Sequence, residues 1–203
     1  MAAVLDLRNT TYNREFIMAK ILESMLKYQK KHNIKSKCMT NVQYYRDALY
    51  GMGVMCKIKP TIYITRRDTD NALCFDIHMT IKLNDILYID PSFEFLSEEK
   101  IAIFHTINDF MKYCKNNDNI RPLNNKGQET SLYRSVQENH VFVLKNFINL
   151  VKVAEDINNN KLCITDKNYY NAQADYVENK MKNLKGTYIN QMITSKARFE
   201  REL

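Results

Sequence analysis

From Phe75 to Leu83 the chain alternates. Phe75, Ile77, Met79, Ile81 and Leu83 fall on one parity, and Asp76, His78, Thr80 and Lys82 on the other. A period of two is that of a β-strand with one buried face. After Asn84-Asp85, residues that favour turns, Leu87 and Ile89 resume the apolar face, and Ile86, Tyr88 and Asp90 take the other. The segment 74–92 therefore predicts a β-hairpin. Its register should follow the apolar face, because a one-residue slip turns every side chain over. A two-residue turn would set Asp90 opposite Met79, among apolar residues. A three-residue loop over Leu83 to Asp85 instead pairs Lys82 with Ile86, Thr80 with Tyr88 and His78 with Asp90, and this register is expected. Its consequence is an imidazole and a carboxylate side by side, about 5 Å apart at Cβ.

Elsewhere the period is helical. Phe16, Ile17, Ile21, Leu22, Met25 and Leu26 predict a helix from Asn13 to about Lys31, after a lead-in over residues 1–12. A second helix should run from Cys38 to Tyr50, with Val42, Tyr45, Ala48 and Leu49 inside and Gly51 or Gly53 as a left-handed cap. Met55 to Thr65 reads as a strand, and Pro91 should end the hairpin, since it cannot donate to a ladder. Ser97 would cap a helix from Glu98 to about Tyr113. The Asn-rich stretch 115–127, with Pro122 and Gly127, reads as a linker. Beyond it, helices are expected over Ser131 to Ile157 and from Thr165 or Asp166 through Met181. Gly186 should interrupt the latter, and the charged tail 187–203 follows. The pattern predicts an α+β fold: a small antiparallel sheet of about three to four strands packed against helices, with a mostly helical C-terminal part. Its division is a core over 1–114, a linker over 115–127, and a helical extension over 128–203 packed on the core.

Composition narrows the class. The chain has 203 residues, of which 45% are hydrophobic, enough for one domain with a real core. Only four Gly and three Pro leave room for long helices. No apolar run approaches the ~18 residues of a membrane span, so no membrane association is expected. The five Cys are odd in number and irregularly spaced, without a CxxC pair. With no recognisable secretory leader, they suggest free thiols in a reducing, intracellular compartment. A formal charge of +7 invites nucleic acid as a partner. The lysines, however, are spread along polar helix faces, with no Arg-rich arm, which argues against specific nucleic-acid recognition. The wealth of Lys, Asn and Ile suggests an AT-rich genome, such as that of a protist, a low-GC bacterium or a large DNA virus. The expected location is cytoplasmic, or the virion if the source is viral. No metal site or cofactor is expected.

Chemistry enters with Cys38. Cys56, Cys74, Cys114 and Cys163 read as small buried hydrophobes. Cys38 differs in its predicted position at a helix start, where unpaired N–H groups and the helix dipole favour thiolates in general. His105, on the predicted helix 98–113, lacks an acidic partner at a useful spacing, and His140, on the predicted helix 131–157, reads as a surface or boundary residue. Cys38, His78 and Asp90 thus follow one another as nucleophile, base and orienting carboxylate. Helix-start N–H groups would stabilise an oxyanion.

The order Cys38-Met39-Thr40-Asn41, then His78-Met79-Thr80, then Tyr88-Ile89-Asp90-Pro91-Ser92 resembles the transglutaminase-like branch of the papain-like cysteine enzymes. Small relatives there often read Cys-x-x-Asn, then a His opening a strand, then Asp-Pro-Ser/Thr. The resemblance spans roughly residues 36–95. It implies Cys38 as nucleophile, His78 as general base and Asp90 as its orienting partner, in a hydrolase or acyl-transferase acting on amide or thioester bonds of a protein or peptide. The chain departs from the pattern at Thr80, where an aromatic residue is frequent, and in lacking a Gln shortly before Cys38. Gln29 lies too far into the preceding helix. Asn41 and Gln43 are the nearby polar candidates for oxyanion or substrate contact. The alternative is an inactive relative used for binding or assembly, self-associating through its C-terminal helices.

Overall fold

The computed structural model describes residues 2–66, 71, 73–96, 99–117, 120–122, 136–161 and 166–182, with only the backbone for 2–13, 121–122 and 136–143. The chain forms α1 (Ala2–Lys31), α2 (Cys38–Gly51), β1 (Lys57–Arg66), β2 (Leu73–Lys82), β3 (Tyr88–Ile89) and a 3-10 turn over Phe93–Phe95. Then come β4 (Lys100–Phe104), α3 (Ile107–Lys115), β5 (Arg121–Pro122), α4 (Val136–Asn158) and α5 (Lys167–Met181). The fold is α+β. Strands run in the order β3-β2-β1-β4, all antiparallel, and β5 adds to β2 in parallel at Cys74 and Phe75.

The strands carry the alternation into two faces. Ile58, Ile62 and Ile64 of β1 lie opposite Ile81, Ile77 and Phe75 of β2. This face supplies two apolar clusters. One joins Ile58, Met79 and Ile81 to Ile17, Ile21 and Met25 of α1, Val42, Tyr45 and Leu49 of α2, Ala154 and Ile157 of α4, and Tyr170 and Val177 of α5. The other joins Ile62, Ile64 and Phe75 to Phe110, Cys114 and Phe147. The C-terminal helices thus bury their apolar stripes in the same core as the N-terminal ones, removing that surface from water at about 25 cal/mol per Å². Among the described residues no helix is long and apolar enough to cross a membrane.

Several boundaries differ from expectation for local reasons. The expected lead-in is part of α1 from Ala2 onward. Ala2, Ala3, Leu5, Leu7 and Arg8 are strong helix formers, and no Gly or Pro intervenes before Lys31. The helix expected over 98–113 is instead β4 followed by α3. The β-branched Ile101 and Ile103 alternate along an edge strand paired with β1, and Thr106 caps α3 by accepting the Asp109 N–H at 3.2 Å. His105 therefore sits in the junction, not on a helix. Arg121 and Pro122, inside the expected linker, pair with β2. α2 ends as expected at a left-handed glycine. Gly53 has φ +71, its N–H donates to Tyr50 O at 2.9 Å, and Val54 N–H donates to Leu49 O at 2.9 Å, a Schellman closure. Ser97, Glu98, residues 123–135, Cys163, Thr165, Gly186 and the tail 187–203 lie outside the described residues, as does the side chain of His140.

The hairpin register is shifted by two residues. Ile81 pairs with Ile89 and Lys82 with Tyr88, so Asp90 falls diagonally from His78 rather than opposite it. Asn84 explains the longer loop: its side-chain oxygen accepts the N–H groups of Ile86 at 3.0 Å and Leu87 at 2.8 Å. Leu83 N–H closes the loop on Leu87 O at 2.9 Å. A shift of two preserves the faces, so His78 and Asp90 remain on the same side.

Candidate active site

Cys38 is the first residue of α2 and is partly exposed. The turn before it passes through Asn33 and Ser36, both at positive φ. Ser36 N–H donates to Glu94 Oε2 at 2.6 Å, which ties this turn to the segment that follows Asp90. The N-cap residue, Lys37, contributes no side-chain cap. The first-turn N–H groups beside Cys38 are therefore not taken up by a capping side chain.

His78 lies on β2, on the face opposite the apolar cluster, with Thr61 of β1 as its strand neighbour. It is only 1% exposed. Its ring packs on Phe95 at 3.8 Å and on Tyr63 at 5.5 Å between centroids. His78 Nε2 donates to Asp90 Oδ1 at 2.9 Å. Cys38 lies close enough to His78 to act on its imidazole, and with Nε2 taken by Asp90 the ring nitrogen left for a thiol is Nδ1. Burial works against a charged imidazole here. The hydrogen bond to Asp90, the nearby Cys38 and the charge of both outweigh it, so His78 holds its proton well above the ordinary 6.5.

Asp90 stands just past β3, and its carboxylate is fully engaged. Oδ1 also accepts the Ser92 N–H at 3.0 Å, and Oδ2 accepts the Tyr63 hydroxyl at 3.1 Å. The backbone that carries it is clamped in turn. Gln29 of α1 donates Nε2–H to Pro91 O at 2.9 Å, and its Oε1 accepts the Phe93 N–H at 2.8 Å. The two backbone groups settle which way this amide faces. Gln29 Nε2 donates also to Gln173 Oε1 of α5 at 2.9 Å. Tyr169 of α5 donates its hydroxyl to Asn41 Oδ1 at 2.7 Å, and Asn41 Nδ2–H donates to Ser92 Oγ at 3.0 Å. The residues Pro91 to Phe93 are thus held by α1, α2 and α5 together.

Comparison with protein-family models, curated proteins and solved structures found no match. The site therefore rests on its own geometry. The structure brings Cys38, His78 and Asp90 together. Asn41 and Gln43 are each only 2% exposed. The Asn41 amide is spent on Ser92 and Tyr169, which makes it a brace for the Asp90 segment. Gln43 is enclosed in the packing of α2, and its Oε1 meets no hydrogen-bond partner among the described residues. Sequence reasoning missed Tyr63, Phe95, Gln29, Tyr169 and Gln173. Tyr63 was within reach: on β1 it shares parity with Thr61, and pairing β1 with β2 puts it on the His78 face. The glutamines carry no local signal, because their partners lie far along the chain. Among the described residues no group of three or more His, Cys, Asp or Glu could hold a metal ion.

A thiol beside Nδ1 of a buried imidazole whose Nε2–H is held by a carboxylate can lose its proton to that imidazole. The result is a nucleophile and a proton donor side by side. His105 is outside this group. It stacks on Tyr88 at 3.5 Å between centroids and shares a hydrogen bond with Thr61 at 3.2 Å.

Proposed function

We propose that this chain is a cysteine-dependent hydrolase or acyl-transferase acting on amide or thioester bonds, of the transglutaminase-like branch of papain-like enzymes. The observation that supports it best is the chain of contacts from Cys38 through His78 to Asp90, with the thiol at an uncapped helix start. Cys38 is the nucleophile, His78 the proton carrier and Asp90 the group that fixes the imidazole. The thiolate sulfur attacks the carbonyl carbon, and the carbonyl π electrons move onto oxygen. First-turn N–H groups of α2 are suited to receive that oxyanion. The imidazolium Nδ1–H then protonates the leaving nitrogen or sulfur as its bond to carbon breaks, leaving an acyl thioester on Cys38. Water or an amine attacks the thioester next and gives its proton to Nδ1. The product acid or amide departs, and the proton returns to the sulfur.

A protein or peptide supplies the acyl group, and a reducing compartment keeps Cys38 a free thiol. The test is alkylation by iodoacetamide at low dose and about pH 6, well below the ~8.5 of an ordinary thiol. Peptide mapping should find the label on Cys38, and Cys38→Ala should lose it. Label spread over other cysteines while Cys38 stays unmodified would defeat the assignment.

A further inference from the structure

We propose that Tyr63 is a positioning residue of this site, holding Asp90 in the one orientation that serves His78. The inference rests on the Cys38–His78–Asp90 reading. A carboxylate turns easily about its last torsion, because sp³–sp² rotamers are broad. Asp90 lies beyond the two-residue strand β3, so no ladder bond steadies it directly. Its Oδ1 serves both His78 Nε2 and Ser92 N, while Oδ2 has the Tyr63 hydroxyl at 3.1 Å. Losing that donor frees the carboxylate to swing about Oδ1.

Tyr63 is well placed for the task. It sits on β1, between β2 and β4 in the sheet, paired with Asp76 on one side and Ile103 on the other. It is 4% exposed, so water does not readily replace the hydroxyl. Its ring is held by Phe95 at 5.6 Å between centroids and by the Lys100 ammonium at 5.4 Å. Burial, and then the nearby Asp90 carboxylate, push its ionisation far up, so the hydroxyl keeps the proton it donates. The charged and titratable groups around it are Asp90, Cys38, His78, Lys100 and its cross-strand neighbour Asp76.

The test is a double-mutant cycle read by the pH profile of Cys38 alkylation with iodoacetamide. Tyr63→Phe keeps the ring and removes the donor. It is expected to slow labelling at about pH 6 on the order of tenfold, as loss of a charge-assisted bond does, and to move the profile toward that of an isolated thiol. In the Asp90→Asn background the same change should add little, because its route is through Asp90. para-Aminophenylalanine at position 63 restores a donor and should restore the profile. An unchanged profile in Tyr63→Phe, equal losses in both backgrounds, or no rescue where Tyr63→Phe fails to fold would each overturn the role of Tyr63. A wild-type Cys38 no more reactive than a free thiol would instead remove the triad reading itself, whatever Tyr63 does.

Discussion

Gln29→Met isolates the clamp on the Asp90 segment. Gln29 is 1% exposed and makes three hydrogen bonds: to Pro91 O, from Phe93 N, and to Gln173 Oε1. Met matches Gln in helix propensity and nearly in volume, so the change removes the amide and little else. Gln173 Oε1 keeps a share of the Tyr169 hydroxyl proton, 3.0 Å away, which Asn41 Oδ1 takes at 2.7 Å. Pro91 O and Phe93 N lose their partner. A buried group left unpaired costs about 1–3 kcal/mol, and Pro91 is buried while Phe93 is half-buried, so about 2–4 kcal/mol is expected. That is a large share of a typical ~5–15 kcal/mol of stability. Urea denaturation followed by tyrosine fluorescence should show a lower midpoint with an unchanged slope. Alkylation of Cys38 should slow under native conditions, since Asp90 rides on the released segment. A loss under about 1 kcal/mol, or full Cys38 reactivity in a protein that has lost the larger amount, would refute the reasoning.

Two further outcomes follow from the same contacts. Asp166 accepts the Tyr169 N–H at 3.0 Å as the cap of α5 and also pairs with Lys37, the neighbour of Cys38. Asp166→Ala should cost about 1 kcal/mol of stability by loss of the cap, while Asp166→Asn, which caps equally well, should cost much less in the same urea titration. His78 holds its proton above the ordinary 6.5 in the folded protein, so the unfolded chain sheds that proton first as pH rises. Its contribution is complete below about 6.5 and is lost as pH rises through the folded value. The urea midpoint of the wild type should therefore fall more steeply between about pH 7 and 9 than that of His78→Gln; parallel slopes would contradict the assigned proton.

What the sequence made legible depended on the range of the interaction. The alternation through Phe75, Ile77, Met79 and Ile81 was a local signal, and it put His78 and Asp90 on one face. The loop length was also local but ambiguous. Asn84, by binding two N–H groups, lengthened the loop by two residues, and an even shift left the face assignment intact. Ile101, Ile103, Phe104, Ile107 and Phe110 satisfied a helical count, yet the first three belong to a strand that exists only because β1 is there to pair with it. Gln29 looked like a residue stranded in a helix. Its partners sit more than sixty residues away, at Pro91 and Gln173, and no window of the chain contains them together.

The bond between Gln29 and Gln173 spans 144 positions. It makes the molecule hard to divide. A piece ending before α5 would retain the thiol, the imidazole and the carboxylate, yet would strand the acceptor of Asn41 and one donor of Gln29 inside its own interior. Descendants of this sequence are therefore not free to trade the last helix as an interchangeable module. A change at 169 or 173 has to be answered at 29 or 41, and the two ends of the polypeptide must drift in step.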